Sequence, residues 1–227
     1  MTLASRSVKP LKNPILEFYV IALVVISILT SLSLKLSGTD ATWGKAFLNG
    51  TFHVVSYAST TGFGLSDNST WGFLPSFMLI LVSLVCGCAG STSGGLKVDR
   101  IILLLKAIHM QIKKTVNPYI MYELRLGKRI LHDEDVYPHV LYIAMFAVLI
   151  GASTVLCLLV GDPNGHALTG SIASLANVGP SIGTIGSMGN YNAEPAVIKF
   201  IFSFDMFLGR VEIYPVFAVI SSIFNRK

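Results

Sequence analysis

Apolar and polar positions alternate along this chain in long blocks, and two of the apolar blocks are long enough to cross a lipid bilayer. Ile15–Leu36 and Val136–Val160 are nearly continuous apolar runs. A helix rises about 1.5 Å per residue, so each run reaches beyond the hydrocarbon core of about 30 Å. A third apolar run, 196–224, is expected to form one final helix.

Two shorter apolar segments follow a different pattern. Segments 45–58 and 166–176 would each reach only about 20 Å or less as helices, too little to cross the membrane. Each runs directly into a glycine-containing loop, STTGF at 59–63 and NVGP at 177–180. A short helix that enters the membrane and returns through such a loop is typical of a re-entrant pore loop.

The same order of elements occurs twice along the chain. Full span, half helix, loop and second helix recur with a period on the order of 120 residues. This pattern predicts an all-α membrane protein made of two tandem helix–pore loop–helix repeats, like those of a potassium-channel pore. The predicted parts are a cytoplasmic lead-in at 1–13, a first repeat at 14–108, a cytoplasmic linker at 109–135 and a second repeat at 136–227.

Composition agrees with a membrane location. Hydrophobic residues make up 52% of the chain and charged residues only 13%, about half the charged share of an ordinary soluble domain. The basic residues lie between apolar runs instead of on one soluble face, which argues against nucleic-acid binding. The scattered histidines and cysteines show no metal-ligand or redox spacing.

Charge placement predicts the orientation. Cytoplasmic loops of membrane proteins are enriched in lysine and arginine. With both termini and the linker inside, thirteen of the seventeen basic residues lie on the cytoplasmic side: Arg6, Lys9, Lys12, Lys97, Arg100, Lys106, Lys113, Lys114, Arg125, Lys128, Arg129, Arg226 and Lys227. Lys35, Lys45 and Lys199 lie on the other side. Both loops are therefore expected to open outward.

The loops carry the chemistry that a dehydrated cation needs. Neutral carbonyl oxygens can replace the water around potassium without trapping the ion. Gly62 and Gly179 can adopt the torsions that aim carbonyls at one axis, and the hydroxyls of Thr60 and Thr61 can add oxygens or brace the loop. The carbonyl end of each half helix carries partial negative charge, which favours a cation.

A glycine- and serine-rich break interrupts the helix of the first repeat at 86–95. Such backbone is tolerated at membrane depth only where it is buried in protein or lines a cavity. Residues 90–97, GSTSGGLK, nearly match a phosphate-binding loop, but Leu96 stands where that motif needs lysine and no strand is expected before it. We favour a movable barrier beneath the filter; the alternative is that Gly90 and Gly94 let helices pack closely.

Arg210 is a lone arginine within the final apolar run. A charge there is costly, so it should face the protein interior or a watery cavity, and Asp205 and Glu212 are its candidate partners. It could form a structural ion pair, or it could place positive charge beside the permeation path.

Four motifs stand in a distinctive order: STTGF at 59–63, CAGSTSGGLK at 88–97, NVGP at 177–180 and LGRVEI at 208–213. In this order they resemble the Trk/Ktr potassium-uptake family, most closely its TrkH-type membrane subunits, over nearly the whole chain. Family members have four such repeats around one pore, and this chain is similar to the third and fourth. Cys86 and Ser181 stand where glycine is more usual in the family.

The resemblance implies specific roles. Half of a potassium filter would be formed by the backbone carbonyls of Thr60, Thr61, Gly62, Asn177, Val178 and Gly179. The intramembrane gate would consist of Gly90, Ser91, Thr92, Ser93, Gly94 and Gly95, with Arg210 beside it. Family resemblance also implies a homodimer in the bacterial inner membrane, surrounded by lipid and controlled by a cytosolic nucleotide-binding subunit.

The expected function is therefore potassium uptake, with potassium as the transported ion, no organic cofactor and no enzymatic activity. Two repeats cannot enclose a four-sided pore. We therefore expect the chain to be a fragment that needs the N-terminal half, the product of a split gene that needs its other half, or a chain that pairs with a second copy of itself. Two alternatives remain: a proton-coupled transporter that uses Asp205 or Glu212, and a non-conducting remnant.

Overall fold

The fold was analysed in a computed structural model, which describes residues 14–88, 90–117, 124–126, 129–131, 133–162 and 165–224. Expectations for the lead-in 1–13 and for Ala89 lie outside the described residues. So do those for the basic residues Arg6, Lys9, Lys12, Lys128, Arg226 and Lys227.

Eight α-helices make up most of the described part of the chain. In chain order they are α1 Pro14–Leu36, α2 Trp43–Ala58, α3 Phe73–Leu84, α4 Val98–Val116, α5 Asp133–Val160, α6 Ala167–Leu175, α7 Ala196–Val211 and α8 Ile213–Phe224. Single 3₁₀ turns lie at Asn68–Thr70, Gly183–Ile185 and Tyr191–Ala193.

Helices α1 and α5 run through the two apolar blocks predicted to span the membrane. Ile15–Leu36 and Val136–Val160 are both long and apolar enough to cross it, and little of their surface is buried within the protein. Because an apolar helix that is exposed on most sides needs an apolar solvent, lipid is the medium that fits these surfaces.

The prediction of a single final helix is wrong. Helix α7 ends at Val211, Glu212 has φ +69°, and α8 leaves at an angle of 102° to α7. A left-handed residue cannot continue a right-handed helix. The two pieces together are long and apolar enough for one further, broken span.

The half helices α2 and α6 sit inside the bundle. With 16 and 9 residues they are about 24 and 14 Å long, too short to cross a bilayer. Helix α2 packs on α1 and α3, whereas α6 lies between α5 and α7. From Gly170 to Leu175 every residue of α6 is buried, so the second part of this half helix is enclosed by the protein, whereas Leu168 in its first turn is exposed.

The predicted glycine-rich break has an ordered base that sequence reasoning did not anticipate. Two short strands, β1 Val85–Cys86 and β2 Leu96–Lys97, pair in parallel across it. The Val98 amide also donates to the Gly87 carbonyl at 3.2 Å. The described residues 87–88 and 90–95 therefore lie between two strands that are paired with each other; we call these residues the glycine loop.

Beyond this loop, α4 extends to Val116 instead of ending near residue 108 as expected. Apolar residues continue at helical spacing through Ile108, Ile112 and Val116, which prolongs the helix. Lys113 and Lys114 lie in its last turn, where positive charge favours the helix dipole. Within the predicted linker, β3 Leu124–Leu126 and β4 Arg129–Leu131 form an antiparallel pair.

Candidate ion filter and glycine loop

The first predicted filter loop begins where α2 ends. Ser59 caps the helix, and Thr60 then turns into the left-handed region with φ +54°. The amides of Thr61 and Gly62 both donate back to the Ser56 carbonyl, at 2.9 and 3.5 Å. Gly62 is left-handed too, with φ +75°. Two left-handed residues so close together turn successive carbonyls away from the helical direction.

The second predicted loop repeats this backbone 117 positions later. Asn177 and Gly179 have φ +58° and +93°, in the places of Thr60 and Gly62. The amides of Val178 and Gly179 donate to the Ala173 carbonyl at 3.0 and 3.5 Å. A left-handed threonine or asparagine is uncommon, so its occurrence at equivalent positions marks a local geometry that both segments share.

The two loops also touch. A side chain on Gly62 would run into the Val178 carbonyl and come within 3.0 Å of Cδ of Pro180. Val178 itself is buried and packs in one apolar cluster with Val54 and Tyr57 of α2. The structure therefore brings Gly62 of the first predicted filter loop against Val178 of the second.

Asn68 joins the segments that follow the two loops. Its amide nitrogen donates to the Tyr57 hydroxyl and to the Ser181 carbonyl, both at 2.9 Å. Its amide oxygen accepts from the Ser187 amide at 2.8 Å, and Ser187 in turn donates to the Ser66 carbonyl at 2.6 Å. Only 1% of Asn68 is exposed, so this is a buried link, with its hydrogen bonds satisfied, between the segments that follow the two predicted filter loops.

Sequence reasoning missed this link. Asn68 attracts notice in the sequence only as the start of an N-x-[ST] glycosylation pattern, Asn68-Ser69-Thr70, yet its buried nitrogen already donates two hydrogen bonds. The exposed Asp67 beside it accepts from the Ser69 amide, and this hydrogen bond lowers the pKa of the Asp67 carboxyl. The cap of this turn therefore remains ionised at neutral pH.

The glycine loop lies against the start of the second filter loop. A side chain on Gly94 would meet the Ala176 carbonyl and Cβ of Asn177, the latter at 2.8 Å. On the other side, a side chain on Gly209 of α7 would meet the Leu175 carbonyl. Both glycines thus allow a close approach of backbones, and the predicted gate adjoins the predicted filter.

Arg210 contacts the glycine loop, and among the described residues it forms no ion pair with Asp205 or Glu212, the acids expected as its partners. Its guanidinium donates to the Thr92 carbonyl. Asp205 instead accepts from the Ser153 hydroxyl at 2.7 Å. Next to Arg210 lies a cavity of about 210 Å³, lined by Ser91, Thr92, Ser93, Gly95, Lys97, Tyr142, Gly209, Arg210 and Glu212.

Glu212, at the bend between α7 and α8, is held by two cations from the base of the glycine loop. Its carboxylate oxygens lie 2.9 Å from Nζ of Lys97 and 3.2 Å from a guanidinium nitrogen of Arg100. Arg100 also stacks over the Tyr142 ring, 3.7 Å from its centroid. We call these three charged residues the charge clamp. It explains why the predicted Arg210–Glu212 pair does not form.

Comparison with known proteins places the chain in a family. Residues 14–225 match the family model for TrkH, described as a cation transport protein. The Trk system potassium uptake protein TrkH of Halomonas elongata is 33% identical over 95% of this chain. TrkI of the same organism is 34% identical over 78%.

A solved structure agrees with the sequence matches. The crystal structure of the potassium transporter TrkH from Vibrio parahaemolyticus covers 99% of this chain with a TM-score of 0.88 and 25% identity. The chain spans only 44% of the Halomonas elongata TrkH and 48% of the Vibrio parahaemolyticus chain, less than half of either protein. The expected resemblance is confirmed, and the chain belongs to the TrkH family of cation transport proteins.

Proposed function

We propose that this chain forms two sides of a potassium-selective pore through which potassium enters the cell. The observation that carries the proposal is the shared backbone of the two filter loops, left-handed at Thr60 and Gly62 and again at Asn177 and Gly179. Two copies of one unusual geometry, in contact with each other, fit a ring of carbonyl ligands around a single axis.

The local electrostatics fit a monovalent cation. Helices α2 and α6 each end immediately before a filter loop, so the partial negative charge of the two helix ends lies beside the loops. No carboxylate belongs to segments 59–63 or 177–180. Neutral carbonyls and helix ends stabilise an ion without holding it as a fixed negative charge would.

The glycine loop and Arg210 form the gate in this proposal. The loop contacts the second filter loop through Gly94, and Arg210 is hydrogen-bonded to Thr92 within it. The ends of the glycine loop are paired, and Arg210 holds its middle at Thr92. The middle of the loop can therefore change conformation while its two ends stay in place. The cavity of about 210 Å³ beside Arg210 provides room for such a movement.

The rest of the pore comes from outside this chain. We propose that two further repeats, the N-terminal half in the family arrangement, close the remaining sides. The outer face of α2 fits this idea, since an open cavity of about 460 Å³ lies there, lined mainly by apolar side chains including Phe47, Phe52 and Phe63. The bacterial inner membrane, a homodimer, cytoplasmic termini and a cytosolic nucleotide-binding regulator belong to the same proposal.

The test is restoration of growth at low potassium. The chain is expressed in uptake-deficient bacteria together with the part of the Halomonas elongata TrkH that it does not match, and we expect uptake only with that complement. Gly62→Ala should lower the preference for potassium over sodium. The backbone at this position is left-handed, which alanine disfavours, and the added Cβ would overlap the Val178 carbonyl. Gly44→Ala in α2 is the matched control, because a side chain at this position meets nothing within 4 Å.

Three results would contradict the proposal. Absence of uptake with every complement, despite normal membrane levels, would indicate a non-conducting chain. Selectivity unchanged by Gly62→Ala would remove the filter assignment. Uptake that follows a pH gradient and is abolished by Asp205→Asn would indicate a proton-coupled transporter instead, since Asp205 is buried and only one of its oxygens has a hydrogen-bond donor among the described residues.

A further inference from the structure

The carbonyl of Gly179 in the second filter loop is engaged by a side chain from outside the loop. The Tyr191 hydroxyl donates a hydrogen bond to it at 2.5 Å. Tyr191 lies in the 3₁₀ turn Tyr191–Ala193, beyond the loop, and its ring meets the edge of Phe202 with centroids 5.9 Å apart. This places the donor hydroxyl within a packed part of the protein, beside the apolar cluster of Cys157, Ala167, Ile198 and Phe202.

The first filter loop is braced differently. There the Ser56 hydroxyl, from the half helix itself, donates to the Phe63 carbonyl at 2.7 Å. The residue 117 positions after Ser56 is Ala173, which has no hydroxyl, and the residue equivalent to Phe63 is Pro180. The hydroxyl therefore bonds to the carbonyl after the glycine in the first loop and to the carbonyl of the glycine itself in the second. The donor comes from the half helix α2 in the first loop and from the 3₁₀ turn Tyr191–Ala193 in the second.

This difference affects which oxygens can face an ion. A hydroxyl donor draws the carbonyl oxygen toward itself and uses one of its two lone pairs, so it competes with an ion that lies in another direction. In the first loop the engaged carbonyl comes after the glycine, whereas in the second it belongs to the glycine itself. Two loops with matching positive φ values thus have side-chain hydroxyls bonded to different carbonyls.

We propose that Tyr191 is a positioning residue of the filter: it holds the Gly179 carbonyl toward the protein interior, so that the second loop supplies ion ligands only from residues before Gly179. This inference rests on the proposed function, because it presumes that the loops line an ion path. The filter is then asymmetric, and Tyr191 sets the number of ligands on one side.

The variant that tests this is Tyr191→Phe, which keeps the ring against Phe202 and removes only the hydroxyl. Its matched control is Tyr214→Phe, which removes a tyrosine hydroxyl that donates to the Pro138 carbonyl at 2.7 Å, away from the filter. Both changes delete one hydroxyl–carbonyl hydrogen bond, so a general loss of stability affects the two variants alike.

The first readout needs no transport. The chain, labelled with carbon-13 and oxygen-18 at the Gly179 carbonyl and reconstituted in lipid nanodiscs, is examined by infrared spectroscopy. Loss of a hydrogen bond raises the stretching frequency of a carbonyl. We therefore expect the labelled Gly179 band to move to higher frequency in Tyr191→Phe and to stay unchanged in Tyr214→Phe. An unchanged Gly179 band in Tyr191→Phe overturns the proposal.

The second readout is uptake by the complemented pore. We expect Tyr191→Phe to change the potassium-to-sodium preference by about twofold to tenfold, the effect of one hydrogen bond, with unchanged membrane levels. Tyr214→Phe should keep the original preference. A shifted Gly179 band with unaltered selectivity overturns the positioning role. Absence of uptake by the unmodified chain, with its complement present, refutes the proposed function and the positioning role together. In that case the infrared spectrum still shows whether the hydrogen bond from Tyr191 to Gly179 exists.

Discussion

At the scale of single residues, the tightest point in the described structure lies where three segments meet at the end of α6. Gly94 from the glycine loop and Gly209 from α7 both face the backbone of residues 175–177. Asn177 reaches past them, and its amide donates to the Met206 carbonyl at 3.0 Å. The absence of side chains at the two glycines lets the glycine loop and α7 both come close to the start of the second predicted filter loop.

We therefore expect Gly209→Ala to destabilise the protein. Its Cβ would overlap the Leu175 carbonyl and lie 2.7 Å from Nδ2 of Asn177, and overpacking of this kind costs about 1–3 kcal/mol. The midpoint of thermal unfolding in detergent should fall accordingly. Gly151→Ala in α5 is the control, since a side chain there meets nothing within 4 Å and alanine is the better helix former by up to about 1 kcal/mol. Equal midpoints for both variants would show that the close approach is not constraining.

At the scale of elements, the bend between α7 and α8 combines two separate causes. One is the left-handed backbone of Glu212, and the other is the pairing of its carboxylate with Lys97 and Arg100. Helix α8 is further tied to α5, because the Tyr214 ring packs edge-on against Tyr142 at 5.5 Å. Two substitutions at Glu212 can separate the backbone from the charge.

Glu212→Gln keeps the strained torsion and removes the negative charge, so Lys97 and Arg100 lose their partner. We expect it to destabilise the bend by on the order of 1 kcal/mol, because the pair is only partly shielded from solvent. Glu212→Gly also loses the charge but relieves the torsion, so it should be the less harmful change. Spin-label distances between α4 and α8 should broaden in the glutamine variant. Because both variants lack the charge, the reverse ranking would mean that the torsion at Glu212 costs little, and a glutamine variant with distances as narrow as those of the unmodified chain would mean that charge has no part in the bend.

Much of the helical pattern follows from the sequence, because length and hydropathy act locally. Helices run through Ile15–Leu36 and Val136–Val160 as predicted, and Gly62 and Gly179 have the positive φ that their predicted role requires. The bend at Glu212 could not be foreseen from its neighbours, since its partners lie 115 and 112 positions earlier in the chain. Asn68 and Tyr191 were missed for the same reason: each is important through a contact made only after folding.

At the scale of the whole molecule, Asn68 joins the first and second halves of the described structure. The first filter loop ends shortly before it, and its amide reaches the segment that follows the second loop. This link lies on the same side of α2 as the buried Tyr57 and Val178, which pack together in one apolar cluster. Two contacts therefore hold the predicted filter loops relative to each other: the hydrogen bonds of Asn68 and the apolar packing of Tyr57 with Val178.

Asn68→Ala should loosen the two halves of the described structure relative to each other, because the Ser187 amide loses its partner and the Ser181 carbonyl keeps only the hydrogen bond from the Tyr57 hydroxyl. Such a loss costs about 1–3 kcal/mol. Spin labels at the exposed Leu65 and Met188, one in each repeat, should report a wider distance distribution. Asn49→Ala is the control, as the Asn49 amide bonds only to Asp40, within the first repeat. A distance distribution as narrow as that of the control would mean that apolar packing alone, without the Asn68 hydrogen bonds, holds these two segments together.

The parallel pairing of β1 and β2 has a consequence for how this protein family can change over time. Because Val85 is paired with Leu96 and Cys86 with Lys97, the ends of the glycine loop stay adjacent whatever lies between them. Residues can be added to or removed from the interior of the loop without shifting α3 or α4, and closing a slightly longer loop costs little entropy. The glycine loop is thus a segment whose length we expect to tolerate change while the surrounding helices keep their places.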